Sequence, residues 1–190
     1  MKSFHIFDET APLKCVSLCR ASYVPEFSSF KDEPSQAQKF EMQKWNKEKL
    51  ILELEYFYEI LQQYNIDLHF VKPSKKHPWQ MYTRDTAFVI YDTLYFSQTR
   101  ERSDRVGEID ILLKSISAFR SSKIVEISGG KIEGGDVIVD TDCIYVGISN
   151  RSSKQAIEQL AGYVPIYPIQ LGGRIMHLDT CFTILPKKTH

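Results

Sequence analysis

The sequence predicts an α/β fold assembled from a repeated hairpin–helix–strand unit. Short β-rich runs alternate with stretches of helical periodicity along the 190 residues. The pattern D-T-x-F-x-I occurs twice, at Asp85 to Ile90 and at Asp179 to Ile184. Asp136 opens a related run between them, so the copies are spaced by 51 residues (85 to 136) and 43 residues (136 to 179), a period typical of repeat architectures.

The elements follow in order. LKCVSLCRA (13 to 21) reads as a strand, and PEFSSFKDEPSQ (25 to 36) as loop. From Gln38 to Tyr64, Phe40, Met42, Trp45, Leu50, Leu54, Phe57, Ile60 and Leu61 recur at helical spacing. The aromatics Trp45, Tyr56 and Phe57 are assigned to the core, and the helix ends at Asn65. IDLHFVKP (66 to 73) is a strand closed by Pro73. TAFVIYD and TLYFSQ make a hairpin broken at Asp92-Thr93, and a helix over 103 to 120 turns Val106, Ile109, Leu112, Leu113 and Ile116 to one side. KIVEIS (123 to 128) completes that unit. DVIVD and CIYVGIS repeat the hairpin, a helix over 152 to 163 takes Ser152 as N-cap, and VPIYPIQL (164 to 171) is its strand. The third copy offers only a first strand, carrying His177 and Asp179 on one face, before Pro186 and the last residue, His190. The chain reads as unfinished, with an open sheet edge through which copies would self-associate.

Composition narrows the function. With 43% hydrophobic and 12% aromatic residues there is material for a core. Lys+Arg and Asp+Glu both number 24, a zero net charge that argues against nucleic acid or an anionic membrane as main partner. The four cysteines, Cys15, Cys19, Cys143 and Cys181, form no metal-binding or disulfide pattern. Asp8 and Glu9 interrupt any signal-peptide core, and no apolar run approaches the roughly 20 residues of a membrane span. These features point to a cytoplasmic chain in which residues 1 to 190 form one partial domain.

Four strings carry more specific information: QMYTRDTAF (80 to 88), IEGGDVIV (132 to 139), GISNRSS (147 to 153) and MHLDTCF (176 to 182). Taken singly, Arg84-Asp85 would be a surface pair, E-G-G-D a turn, His177 a core histidine and Arg151 a solvated loop residue. In this order, and with ETAPLKCVSL (9 to 18) ahead of them, they resemble the guanidine-modifying or pentein superfamily of dimethylarginine dimethylaminohydrolases, arginine deiminases and amidinotransferases.

The resemblance implies a five-bladed propeller of ββαβ units around a polar channel, of which this chain holds roughly three. It implies a hydrolase acting on the C–N bond of a guanidino compound, arginine or a methylarginine to citrulline, through a Cys–His–Glu mechanism. The dimethylargininase branch is favoured by the compact strings. An inactive guanidino-binding protein and an amidinotransferase remain the alternatives. No cofactor and no metal are implied. By resemblance Asp85 and Asp179 grip the guanidinium nitrogens, and Glu133 shares that grip and takes part in proton transfer. His177 is the general acid and base, and Arg151 pairs with the substrate's α-carboxylate. The chemistry agrees, since a planar resonance-stabilised cation calls for bidentate carboxylates, a thiolate and a proton donor. Gly134 and Gly135 let the chain turn so that Glu133 is presented. The family's nucleophile lies beyond the HLD string, where the only cysteine here is Cys181. Four residues of strand span about 13 Å, which sets Cys181 too far from His177 to serve, although it would share the face lining the channel. Cys15, Cys19 and Cys143 read as small buried hydrophobes.

Overall fold

The computed structural model describes residues 5–25, 46–97, 103–117, 123–160, 162 and 164–186. The chain divides into two compact units, one of Leu13–Met81 and one of Met1–Pro12 with Tyr82–His190.

In the Leu13–Met81 unit, β1 (Cys15–Cys19) pairs in parallel with β2 (Asp67–Val71), Cys15 opposite Asp67 and Cys19 opposite Val71. Between them runs α1 (Lys47–Gln63), capped by Asn46, whose side chain accepts the Lys49 N–H at 2.7 Å. The chain leaves the helix through Asn65 at φ 57, a left-handed conformation that asparagine tolerates. Tyr58 is buried edge-on to Phe70 at 5.2 Å and donates its hydroxyl to Cys19 O at 3.3 Å. Leu50, Ile51 and Leu54 pack on Ala21, Val24 and Trp79. The expected core aromatics Tyr56 and Phe57 are instead 63% and 46% exposed. Tyr56 stands about 200° around the helix from Tyr58, so the two cannot face the same layer. Trp45, residues 38 to 45 of the expected helix and most of the 25 to 36 loop lie outside the described residues.

The other unit contains the repeat. β3 (Ala87–Ile90) and β4 (Thr93–Ser97) form an antiparallel hairpin, α2 (Glu108–Ser115) follows, and β5 (Lys123–Ile127) lies parallel to β4. The second copy has the same order: β6 (Val137–Val139) antiparallel to β7 (Ile144–Ile148), α3 (Lys154–Ile157) with a 3-10 turn at Glu158–Leu160, and β8 (Ile166–Gln170) parallel to β7. Phe88, Ile90, Tyr95 and Ile127 of the first copy join Val137, Val139, Ile144, Val146, Ala156, Ile157 and Leu160 of the second in one core. Both faces of β4 and β6 are buried, which explains the apolar runs Leu94–Phe96 and Val137–Val139. The N-terminal segment is fastened to this unit by paired backbone bonds between Ile6 and Tyr91 and by Glu9 N–H to Val139 O at 3.0 Å.

Several local expectations change. Val106 is 51% exposed, because the helix begins only at Glu108 after Gly107 turns left-handed at φ 90; the end of the expected helix, 118 to 120, lies outside the described residues. The N-cap of α3 is Ser153, whose side chain accepts from Ala156 N–H, and Ser152 is buried with its hydroxyl donated elsewhere. His177 and Asp179 do not share a strand face. His177 is extended (φ −142, ψ 159), and Leu178–Thr180 form a 3-10 turn. Cys181, at the end of that turn, is exposed and directs its thiol to Leu178 O at 3.5 Å. Cys19 and Cys143 are buried as expected, and Cys15 is half-buried. No helix among the described residues is long and apolar enough to cross a membrane.

Candidate active site

The repeat explains how the candidate residues meet. In each copy the chain makes one helical turn just before the position of the first strand: Thr83–Thr86, Gly134–Asp136 and Leu178–Thr180. The second turn packs against both the first and the third. Three turns equivalent in the repeat thereby converge, and each brings polar residues to the meeting point: Asp85, Asp136 and Asp179.

The close approach depends on glycine. A Cβ at Gly134 would sit 2.2 Å from Arg84 O, and one at Gly135 would sit 2.8 Å from His177 Cγ and Nδ1. Gly135→Ala is therefore expected to displace the imidazole and to destabilise the fold by about 1–3 kcal/mol, the range for overpacking, as read by urea denaturation.

Glu133 and His177 form the centre. Both are buried, and His177 Nε2 lies 2.8 Å from Glu133 Oε2. Arg151 Nη1 donates to the same oxygen at 3.0 Å. The second oxygen, Glu133 Oε1, is buried and has no hydrogen-bond partner among the described residues. On the far side of the ring, His177 Nδ1 stands 3.9 Å from Asp85 Oδ1. Arg105 Nη1 donates to Asp85 Oδ2 at 2.8 Å. Arg105, buried, also donates through Nε and Nη2 to Glu108 Oε2 at 3.0 and 2.8 Å and through Nη2 to Tyr82 O at 2.9 Å. The groups thus alternate in sign: Arg105, Asp85, His177, Glu133, Arg151.

That alternation sets the protonation states. Burial alone would push the His177 imidazole down, but its bond to Glu133 and the charges of Asp85 and Asp136 raise it above the ordinary histidine value. Burial would raise Glu133, but the His177 bond and the Arg151 guanidinium hold it below the usual carboxylate value. Opposite shifts on bonded partners describe an imidazolium–carboxylate pair. Burial pushes Asp179 up, against the opposing charges of Arg84 and His177.

Of the five residues singled out in the sequence, Asp85, Glu133, Arg151 and His177 are brought together. Asp179 sits at the margin, 3.6 Å from Arg84 Nε. Arg84 also donates to Gly134 O at 3.1 Å, Val137 O at 2.7 Å and Glu9 Oε1 at 2.7 Å, tying the turns to the N-terminal segment. Arg105 and Glu108 escaped the sequence reading. Their i,i+3 spacing at a helix start was the available signal, but only the fold shows that the pair reaches Asp85. Asp85, Glu133 and His177 place one ligand-type atom each within 4.8 Å of one another. Each of these carboxylates already accepts from a guanidinium, an arrangement suited to N–H donors rather than to a bare metal ion.

Comparison with known proteins identifies the family and the fold. A family model described as N,N dimethylarginine dimethylhydrolase, eukaryotic, matches residues 25–189. The protein YkgA of Bacillus subtilis (strain 168) is 32% identical over 181 residues, covering 93% of this chain and 61% of its own length. The fold of a cysteine-to-serine mutant of the Pseudomonas aeruginosa dimethylarginine dimethylaminohydrolase, complexed with citrulline, matches with a TM-score of 0.67 at 19% identity, over 88% of this chain and 64% of that one. The N-terminal domain of ArgZ, a cyanobacterial arginine dihydrolase bound to its product, matches with a TM-score of 0.74 at 17% identity, over 90% of this chain and 63% of that one. The chain thus spans less than two thirds of the length of each of these three proteins. With the family model covering most of its residues, the chain belongs to the N,N-dimethylarginine dimethylhydrolase family of the guanidine-modifying (pentein) superfamily.

Proposed function

We propose that this site binds the guanidinium group of an arginine-like amino acid and that the whole protein hydrolyses its C–N bond, forming citrulline. The observation that carries this reading is Glu133 Oε1, a buried carboxylate oxygen without a donor among the described residues, beside the His177–Glu133 pair. Leaving such an oxygen unsatisfied costs about 1–3 kcal/mol, which the N–H fork of a guanidinium would relieve. Asp85, and Asp179 at the margin, would take further N–H groups, while Arg151 moves from Glu133 to the substrate's α-carboxylate.

In the proposed reaction a cysteine thiolate, from the part of the family fold that this chain does not span, attacks the guanidinium carbon. The C–N bond breaks as His177 gives its proton to the departing amine, leaving a thiouronium cation on the sulfur. Neutral His177 then takes a proton from water as its oxygen adds to the carbon. Expulsion of the thiolate leaves a protonated urea, whose extra proton goes to the released amine. The full protein is read as a five-bladed ββαβ propeller, cytoplasmic, using no metal or organic cofactor. A sheet edge of the present chain by itself, rather than of that propeller, is read as a site of self-association.

A second reading, binding without turnover, is favoured by the exposed Cys181 with its thiol on Leu178 O, which leaves the described residues without a thiol seated beside His177. Calorimetry with L-arginine, dimethylarginine and citrulline tests the shared claim. Heat of binding is expected for at least one of them, and no binding by any would sink both readings. Citrulline formation by the chain alone would reject the claim that its nucleophile lies elsewhere.

A further inference from the structure

We propose that Asp136 is the positioning residue of this site, a buried carboxylate on which the main chains of its three functional segments converge. This rests on the guanidino reading above only for what the site binds. Leu178 N–H, next to His177, donates to Asp136 Oδ1 at 3.0 Å. The Ser152 hydroxyl donates to Asp136 Oδ2 at 2.6 Å and accepts the N–H of Glu133 at 3.2 Å. The Ser149 hydroxyl donates to the same Oδ2 at 3.1 Å and accepts the N–H of Arg151 at 3.0 Å and of Ser152 at 3.2 Å. One arm therefore ends at each of Glu133 and Arg151, and one at Leu178, the neighbour of His177.

The direction of these arms follows from proton counting. Burial pushes the Asp136 carboxyl up, against the Ser152 bond, the His177 charge and the bonds from Leu178 and Ser149. As a carboxylate it only accepts, so each serine points its one proton at Asp136 and keeps its lone pairs for the main-chain N–H groups. An asparagine would place an NH2 group against at least one arm and reverse it. Asp136 and Ser152 are fully buried, so water does not substitute for a lost arm. The Asp136 charge also helps hold His177 protonated, together with Glu133 and Asp85; Asp179 and the Arg105, Arg151 and Arg84 guanidiniums complete the charged surroundings of the two.

Asp136→Asn, Ser149→Ala, Ser152→Ala and the core control Ile157→Val would be made in this chain. His177 would be titrated by NMR, amide exchange followed at Glu133 and Arg151, and arginine binding measured by calorimetry. D136N is expected to move the His177 midpoint to lower pH and to weaken arginine by roughly ten- to a hundredfold, the scale of a displaced binding group. S152A is expected to speed exchange at the Glu133 amide and S149A at the Arg151 amide, both with the His177 midpoint near wild type. I157V should lower stability and leave the other readouts alone. A D136N protein that loses stability like I157V but keeps the His177 midpoint would overturn the proposal. If D136N does not fold, unchanged exchange in both serine variants overturns it instead, and faster exchange upholds it. Should wild type bind no arginine, the guanidino reading fails while titration and exchange still decide on Asp136.

Discussion

Replacing Arg105 by methionine is expected to lower the free energy of unfolding by about 3–5 kcal/mol, the loss seen when one member of a buried ion cluster is removed. The side chain is only 4% exposed and lies between Asp85 and Glu108, whose side chains are 13% and 1% exposed. Methionine fills much of the same volume but donates nothing. Glu108 then remains in a low-dielectric setting without that cation, Asp85 loses its 2.8 Å guanidinium bond, and Tyr82 O and Thr86 lose a donor as well. Denaturant unfolding would measure the change. Exposed charge pairs are weak, so a loss under about 1 kcal/mol would show that Arg105 is solvated as a surface arginine is. The double variant R105M/E108M should recover part of the loss, because it removes one orphaned carboxylate together with the cation.

Glu133→Gln is expected to destabilise by about 2–3 kcal/mol near neutral pH, since the bonds from His177 and Arg151 lose the negative charge of their acceptor. The pH dependence identifies the pair. The His177 value is raised on folding, so its contribution is full below the ordinary histidine value of 6.5 and is lost as pH climbs through the raised value. The Glu133 value is lowered, so its contribution is full above the ordinary 4.5 and is lost as pH falls through the lowered value. The gap between wild type and E133Q should therefore be widest at about pH 5 to 6, where both groups are charged, and narrow on either side. On the alkaline side it falls to what Arg151 alone supplies. A gap independent of pH would mean that His177 is neutral in the folded chain.

Local patterns carried most of the strands. Alternation and turn residues placed both hairpins, because a strand of four or five residues is specified by its own side chains and by the turn that follows. The helices were placed with less accuracy. Tyr56 and Phe57 are apolar enough for a core, yet which face of α1 meets β1 and β2 depends on the register of the whole helix. The D-T-x-F-x-I pattern marks equivalent positions correctly, but it led to a strand at Leu178 where the chain turns. Leu178 N–H is taken by Asp136, 42 residues away, and that bond holds the turn. Ser152 lost the capping role to Ser153 for the same reason, its hydroxyl being claimed by Asp136.

The sequence by itself determined the repeated unit and the family and singled out Asp85, Glu133, Arg151, His177 and Asp179 as candidates, because these live in short strings and fixed periods. Only the tertiary structure decided which of them touch, that Arg151 rests on Glu133, that Arg105 holds Asp85, and that Asp179 stays at the margin. Burial and charge pairing between residues far apart in the chain are properties of the packed state. A string of letters carries the groups, and packing decides which carboxylate each cation meets.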